Sequence, residues 1–210
     1  MEGTPEMKLH HVASSTFAAA VAVTLAVTLA ACGSNHSAST NTGTAILAPS
    51  VSTDSALNAT DVAFSQGMIA HHEQAIAMAE IALDPKVGAS PAVVDLAARI
   101  KAAQDPEVTM MTAWLDAAGQ PIMMDAKAGH DMSSMDGMMT DEQMDAMAAM
   151  TGTAFDTTWL KMMIAHHQGA IAQSQTVKAS GSNADVLVLA DQIIKAQQAE
   201  ITEMQALLAG

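Results

Sequence analysis

Residues 61–72 read DVAFSQGMIAHH, and residues 156–167 read DTTWLKMMIAHH. The two stretches align at one constant offset: Asp61 with Asp156, Phe64 with Trp159, Met68 with Met163, and further on Ile76 with Ile171. A second match follows each of them. Residues 100–115, IKAAQDPEVTMMTAWL, lie against residues 193–208, IIKAQQAEITEMQALL, so that Gln104 meets Gln197, Glu107 meets Glu200 and Met111 meets Met204. The chain is thus an internal duplication, and each copy carries a histidine pair early and a glutamate late.

The spacing within each copy is helical. Met68, His72, Ala75, Ala79 and Leu83 recur at three- and four-residue intervals, which places them on one face of a helix. Asp84-Pro85 and the run from Gly88 to Pro91 break the first copy into two helices, and Gly181-Ser182-Asn183 breaks the second. Thr60 or Asp61 is the expected cap of the first helix and Asp156 that of the third. Pro106 falls inside the second helix, where a kink is expected. Half the residues are apolar, yet only 2% are aromatic and none is Tyr; the remainder is rich in strong helix formers such as Ala, Met, Leu and Gln. Two helical hairpins, each with an apolar stripe, bury those stripes against one another. The expected fold is all-α, a four-helix bundle made of two duplicated hairpins, spanning residues 59–118 and 153–210.

Other segments extend the bundle. Residues 14–32, SSTFAAAVAVTLAVTLAAC, form an apolar run ending in small residues before Cys32, the mark of an export signal. Leu29-Ala30-Ala31-Cys32 resembles the bacterial lipobox, in which the cysteine is lipidated. Residues 1–32 are therefore read as a lipoprotein signal, with the protein exported and lipid-anchored at the outer face of the cell membrane. An uncleaved membrane anchor is the alternative. The acidic start MEGTPE is unusual for such a signal, and Met7-Lys8 makes a better beginning. Residues 33–58, rich in Ser, Thr, Ala and Asn, read as a flexible tether. Residues 119–152 form a linker between the copies. Nine of the 28 residues from Met123 to Met150 are methionine, and Thr140 to Gln143 has the form of a capping box opening a short helix.

The charge of −14 argues against nucleic-acid binding, which needs clustered Lys and Arg. Cys32 is the one cysteine, so once it is acylated no thiol remains for disulfides, thiolate catalysis or metal binding. Four of the eight histidines stand in the repeated pairs. Met68 lies one turn before His71 and His72, as Met163 lies one turn before His166 and His167. Imidazole and thioether together favour a soft or borderline metal: Cu(I) takes both, Cu(II) takes imidazole, and Mg or Ca would not select this set. In the linker, His130, Met132, Met135 and Met138 add donors of the same character. Glu107 and Glu200 either orient the histidines or ligate metal themselves. Plainer readings stand beside these: buried hydrogen-bonding histidines, core methionines, solvated glutamates and an adaptable linker surface.

The duplicated D-x-x-F/W-x-x-x-M-I-x-H-H with the later Q-x-x-E resembles the domain of unknown function 305 family, over residues 60–208. That resemblance implies a ferritin-like helical bundle, and in exported bacterial members copper binding and a role in copper tolerance. Its paired histidines fall on His71, His72, His166 and His167, with methionines on Met68 and Met163. Two departures are Pro106 and the pairing of Met78 with Gln173, so the halves need not bind equally. The expected function is a non-catalytic lipoprotein that sequesters or transfers copper in the envelope, with an envelope copper-handling protein as a possible partner. A ferritin-like di-metal oxidoreductase is the alternative, although the Glu-x-x-His motif of such enzymes is missing: Glu73 and Glu80 follow the first histidine pair. A metal-free envelope scaffold is the third reading.

Overall fold

The computed structural model describes residues 56–123 and 135–210. All of them belong to one unit, Ala48–Gly210. The signal segment, Cys32, nearly all of the tether, His130 and Met132 lie outside the described residues. Within them are five helices and no strand: α1 (Ala59–Leu83), α2 (Pro91–Ala117), α3 (Asp141–Ala148), α4 (Gly152–Ser180) and α5 (Ala184–Ala209). The duplication is read directly in the pairing. Helix α1 packs on α2 and α4 on α5, and the two hairpins meet across α1 and α4. This arrangement is all-α and consistent with the expected four-helix bundle.

The apolar core is split in two. One cluster joins the second half of α1 (Met78, Ala79, Ala82) to the first half of α2 (Val93, Leu96, Ile100), with Phe155, Trp159 and Met163 of α4 and Met204 of α5. The other joins Phe64 and Met68 of α1 to Met111 and Leu115 of α2, with Ala170 and Val177 of α4 and Leu189 and Ile193 of α5. Phe64 and its repeat partner Trp159 thus lie at opposite ends, as an approximate two-fold relation between the copies requires. Trp159 is fully buried and donates its indole N–H to the Met78 carbonyl at 2.9 Å, which satisfies its one polar atom inside the core.

The repeated aspartates do something other than the capping expected of them. Asn58 caps α1, its side chain accepting from the Thr60 and Asp61 amides at 2.8 Å each. Asp61 completes the capping box by accepting from the Asn58 amide at 2.9 Å. Its carboxylate, fully buried, also accepts from the Ser182 and Asn183 amides, each at 3.1 Å at its shortest, in the turn between α4 and α5. Asp156 repeats this in the other half. Helix α4 begins a turn earlier than expected, with Thr151 at its N-cap, and Asp156 accepts from the Ser90 amide at 3.2 Å, at the start of α2. Each aspartate therefore pins the turn of the opposite hairpin. Asp61→Ala removes a buried carboxylate that accepts from the Asn58, Ser182 and Asn183 amides, and is expected to lower unfolding stability by about 2–4 kcal/mol, read by urea denaturation.

Helix α2 runs unbroken through Pro106. The proline leaves the Ala102 carbonyl without its helical N–H, and both residues are exposed, which leaves that carbonyl open to solvent. The linker helix forms as expected: Thr140 accepts from the Gln143 amide while the Gln143 side chain accepts from the Thr140 amide.

Candidate metal centre

Between the two apolar clusters lies a polar layer at mid-helix. It contains His71 and His72 from α1, Gln104 and Glu107 from α2, His166 and His167 from α4, and Gln197 and Glu200 from α5. All four histidines are fully buried, and the two glutamines are 3% exposed. The layer arises because each histidine pair sits midway along the first helix of its hairpin. The antiparallel return of the second helix then sets the glutamate at the same height.

The halves repeat one contact closely. His72 Nε2 lies 2.7 Å from Glu107 Oε2, and His167 Nε2 lies 2.7 Å from Glu200 Oε2. The two glutamates keep 20% and 16% of their side chains exposed. The other histidine of each pair faces its counterpart: the His71 and His166 rings are 3.8 Å apart between centroids, tilted by 45°. His166 and His167 rings are 6.4 Å apart. Burial holds His71 down to about 3, with the neighbouring His72 and His167 lowering it further against a small opposing pull from the Asp136 carbonyl. Burial likewise pushes His166 well below the ordinary range, aided by the other three rings. The His71–His166 pair is thus neutral at physiological pH and holds lone pairs rather than charge.

Most ring nitrogens of the layer are unpaired. His71 Nδ1, His72 Nδ1, His167 Nδ1 and both ring nitrogens of His166 are buried with no hydrogen-bond partner in the protein. The Gln104 and Gln197 side-chain carbonyls are also without one. An unpaired buried polar atom costs on the order of 1–3 kcal/mol, so seven within one polar layer fit a site for a further ligand better than a packing device. Neutral imidazole nitrogen is a donor that copper accepts readily. As the side chains stand, among the described residues no three His, Cys, Asp or Glu already form a metal cage.

The methionines divide. Met68 and Met163 are fully buried one turn from the histidines, on opposite sides of the layer, as are Met111 and Met204. The end of the methionine-rich linker is seated on the layer. Gln74 clamps it with two bonds, donating to the Met139 carbonyl at 2.8 Å and accepting from the Met139 amide at 2.7 Å. Gly137, at φ +85°, turns the chain so tightly against α4 that a Cβ at Gly169 would lie 1.9 Å from the Asp136 carbonyl oxygen. That oxygen is 3.4 Å from His71 Nε2. Met135 and Met138 flank this turn. Met78 is core, whereas its repeat partner Gln173 lines a surface cleft of about 230 Å³ with Met135 and Asp136. Gln74 and the Asp136 carbonyl carry no sequence signal. The glutamines at 104 and 197 do, through their matched places in the repeat.

A family model described as Domain of unknown function (DUF305) matches residues 61–208. The chain belongs to this family. A DUF305 fragment from Deinococcus radiodurans is 28% identical, with a TM-score of 0.66 over 74% of this chain and 99% of that one. A DUF305 protein from Streptomyces coelicolor, provisionally described as secreted, is 27% identical, with a TM-score of 0.64 over 71% of this chain and 92% of that one. CopM in its Cu(II)-bound form is 32% identical, with a TM-score of 0.58 over 71% of this chain and 95% of that one. CopM has also been solved with Cu(I) and with Ag. No curated protein sequence matches the chain significantly. Among the described residues no helix is long and apolar enough to cross a membrane.

Proposed function

We propose that this DUF305 chain binds copper, as Cu(I) or Cu(II), in the buried layer, and sequesters or transfers it in the cell envelope as part of copper tolerance. The observation that carries this reading is the set of five buried imidazole nitrogens without partners. The likeness to CopM, solved with Cu(I), Cu(II) and Ag bound, supports the choice of metal. Copper supplies affinity for neutral imidazole nitrogen and for thioether sulfur. His71, His72, His166 and His167 are the donors, with Met68 and Met163 as thioethers one turn away. Met135 and Met138 sit where the linker meets the layer, and with His130 and Met132 they capture ions and pass them inward. The fully buried donors exclude water, and their neutrality spares copper from displacing protons from His71 and His166.

The same reading assigns residues 1–32 to a signal ending at the lipidated Cys32, 33–58 to a tether, and 59–210 to the metal-binding domain. The full-length chain carrying Cys32→Ser, which removes the one thiol, tests the central part. Against a chromophoric Cu(I) chelator it is expected to withdraw at least one copper ion per chain. Failure to compete for any copper contradicts the proposal. In its host, the same substitution is expected to abolish fatty-acid attachment, checked by metabolic labelling with a tagged fatty acid.

A further inference from the structure

We infer that Glu107 and Glu200 are positioning residues, each holding the Nε2–H of its histidine so that His72 and His167 present Nδ1 to copper. This rests on the copper reading above. A carboxylate only accepts, so the 2.7 Å contacts require the proton on Nε2 of both rings. A ring with one proton, on Nε2, carries its lone pair on Nδ1, and the two Nδ1 atoms are left buried without partners in both halves. One contact of this kind is unremarkable. The same contact at the same length recurs in both copies of the repeat, which ties the carboxylate to the histidine rather than to one accident of packing. Each glutamate spends Oε2 on its histidine and keeps part of its surface in water, the usual setting for a carboxylate that orients a ligand from behind.

The remaining histidines are held differently. His71 Nε2 leans on the Asp136 carbonyl at 3.4 Å, and His166 uses neither nitrogen. The centre thus has one pair held by carboxylates, His72 and His167, and one pair, His71 and His166, that no carboxylate holds. Among the described residues no three His, Cys, Asp or Glu side chains yet form a cage.

The test uses the full-length Cys32→Ser chain with ¹⁵N-labelled histidine. In the metal-free protein at neutral pH, long-range ¹H–¹⁵N spectra should show His72 and His167 as pure Nε2–H tautomers. Glu107→Ala should turn His72 into a mixture of tautomers while leaving His167 unchanged, and Glu200→Ala should do the converse. Each should weaken Cu(I) binding by about ten- to a hundredfold. Glu107→Gln keeps an acceptor oxygen, so it should restore both the tautomer and most of the affinity. Two results overturn the inference: tautomers that do not respond to Glu→Ala, or a Gln variant that keeps the tautomer yet binds as poorly as Ala, which makes the carboxylate a ligand. If the parent chain binds no copper, the function reading falls, while the tautomer spectra still decide whether the carboxylates hold the rings. Circular dichroism of each variant separates these effects from loss of fold.

Discussion

Replacing His71, His72, His166 and His167 together by Ala is expected to remove high-affinity copper binding, with Cu(I) affinity falling on the order of a thousandfold or more, about 4 kcal/mol. The expectation follows from where the donors are. All five partnerless imidazole nitrogens belong to these four side chains, and no thiol competes in a Cys32→Ser background. The linker thioethers survive the substitution, so weak binding of soft ions should persist at Met135 and Met138. Glu107 and Glu200 already touch solvent and can turn outward, which spares the variant a buried unpaired charge. Competition against a chelator of known affinity, with helicity checked in parallel, makes the measurement. Unchanged stoichiometry and affinity would move the site into the linker.

The second large effect is on pH stability in the metal-free chain. His71 is held at about 3 in the fold against 6.5 in an unfolded chain, and His166 is lowered as well. Above pH 6.5 both rings are neutral whether folded or not, and titration contributes nothing. As pH falls below 6.5, the unfolded chain takes up protons that the folded layer refuses. Stability is therefore lost progressively down to about pH 3 for His71, by about 1.4 kcal/mol per pH unit for each ring. Between pH 7 and pH 4 His71 alone contributes a loss on the order of 3 kcal/mol. Urea denaturation at a series of pH values should show this slope, and the His71→Ala, His166→Ala double variant should flatten it. A parent chain as stable at pH 4 as at pH 7 would mean that these rings are not held neutral by burial.

Much of this was legible from the residues. The repeated twelve-residue string, with breaks at Pro85, Gly88 and Gly181, gives two hairpins because helical period and turn chemistry are both local. The height of the polar layer follows too, since His71 and Glu107 each lie near the middle of antiparallel helices. The partners of the aspartates were not legible. Asp61 meets Ser182 across 121 residues, and Asp156 meets Ser90 across 66, contacts that exist only once the hairpins dock. Nor does the sequence say which histidine of each pair meets the glutamate. His71 and His72 point about 100° apart, and only the rotation of α1 against α2 selects His72. The seat of the linker is hidden for a similar reason: Gln74 and Gly169 matter through a backbone that passes over them from 65 and 32 residues away, at Met139 and Gly137.

The central claim is that copper rests on the histidines of the layer rather than on the thioethers of the linker. X-ray absorption at the copper edge, on the Cys32→Ser chain loaded with one equivalent of Cu(I), addresses it most directly. A shell dominated by nitrogen, with the outer-ring scattering of imidazole, is the predicted spectrum. A shell of sulfur alone, with no imidazole signature, would contradict it.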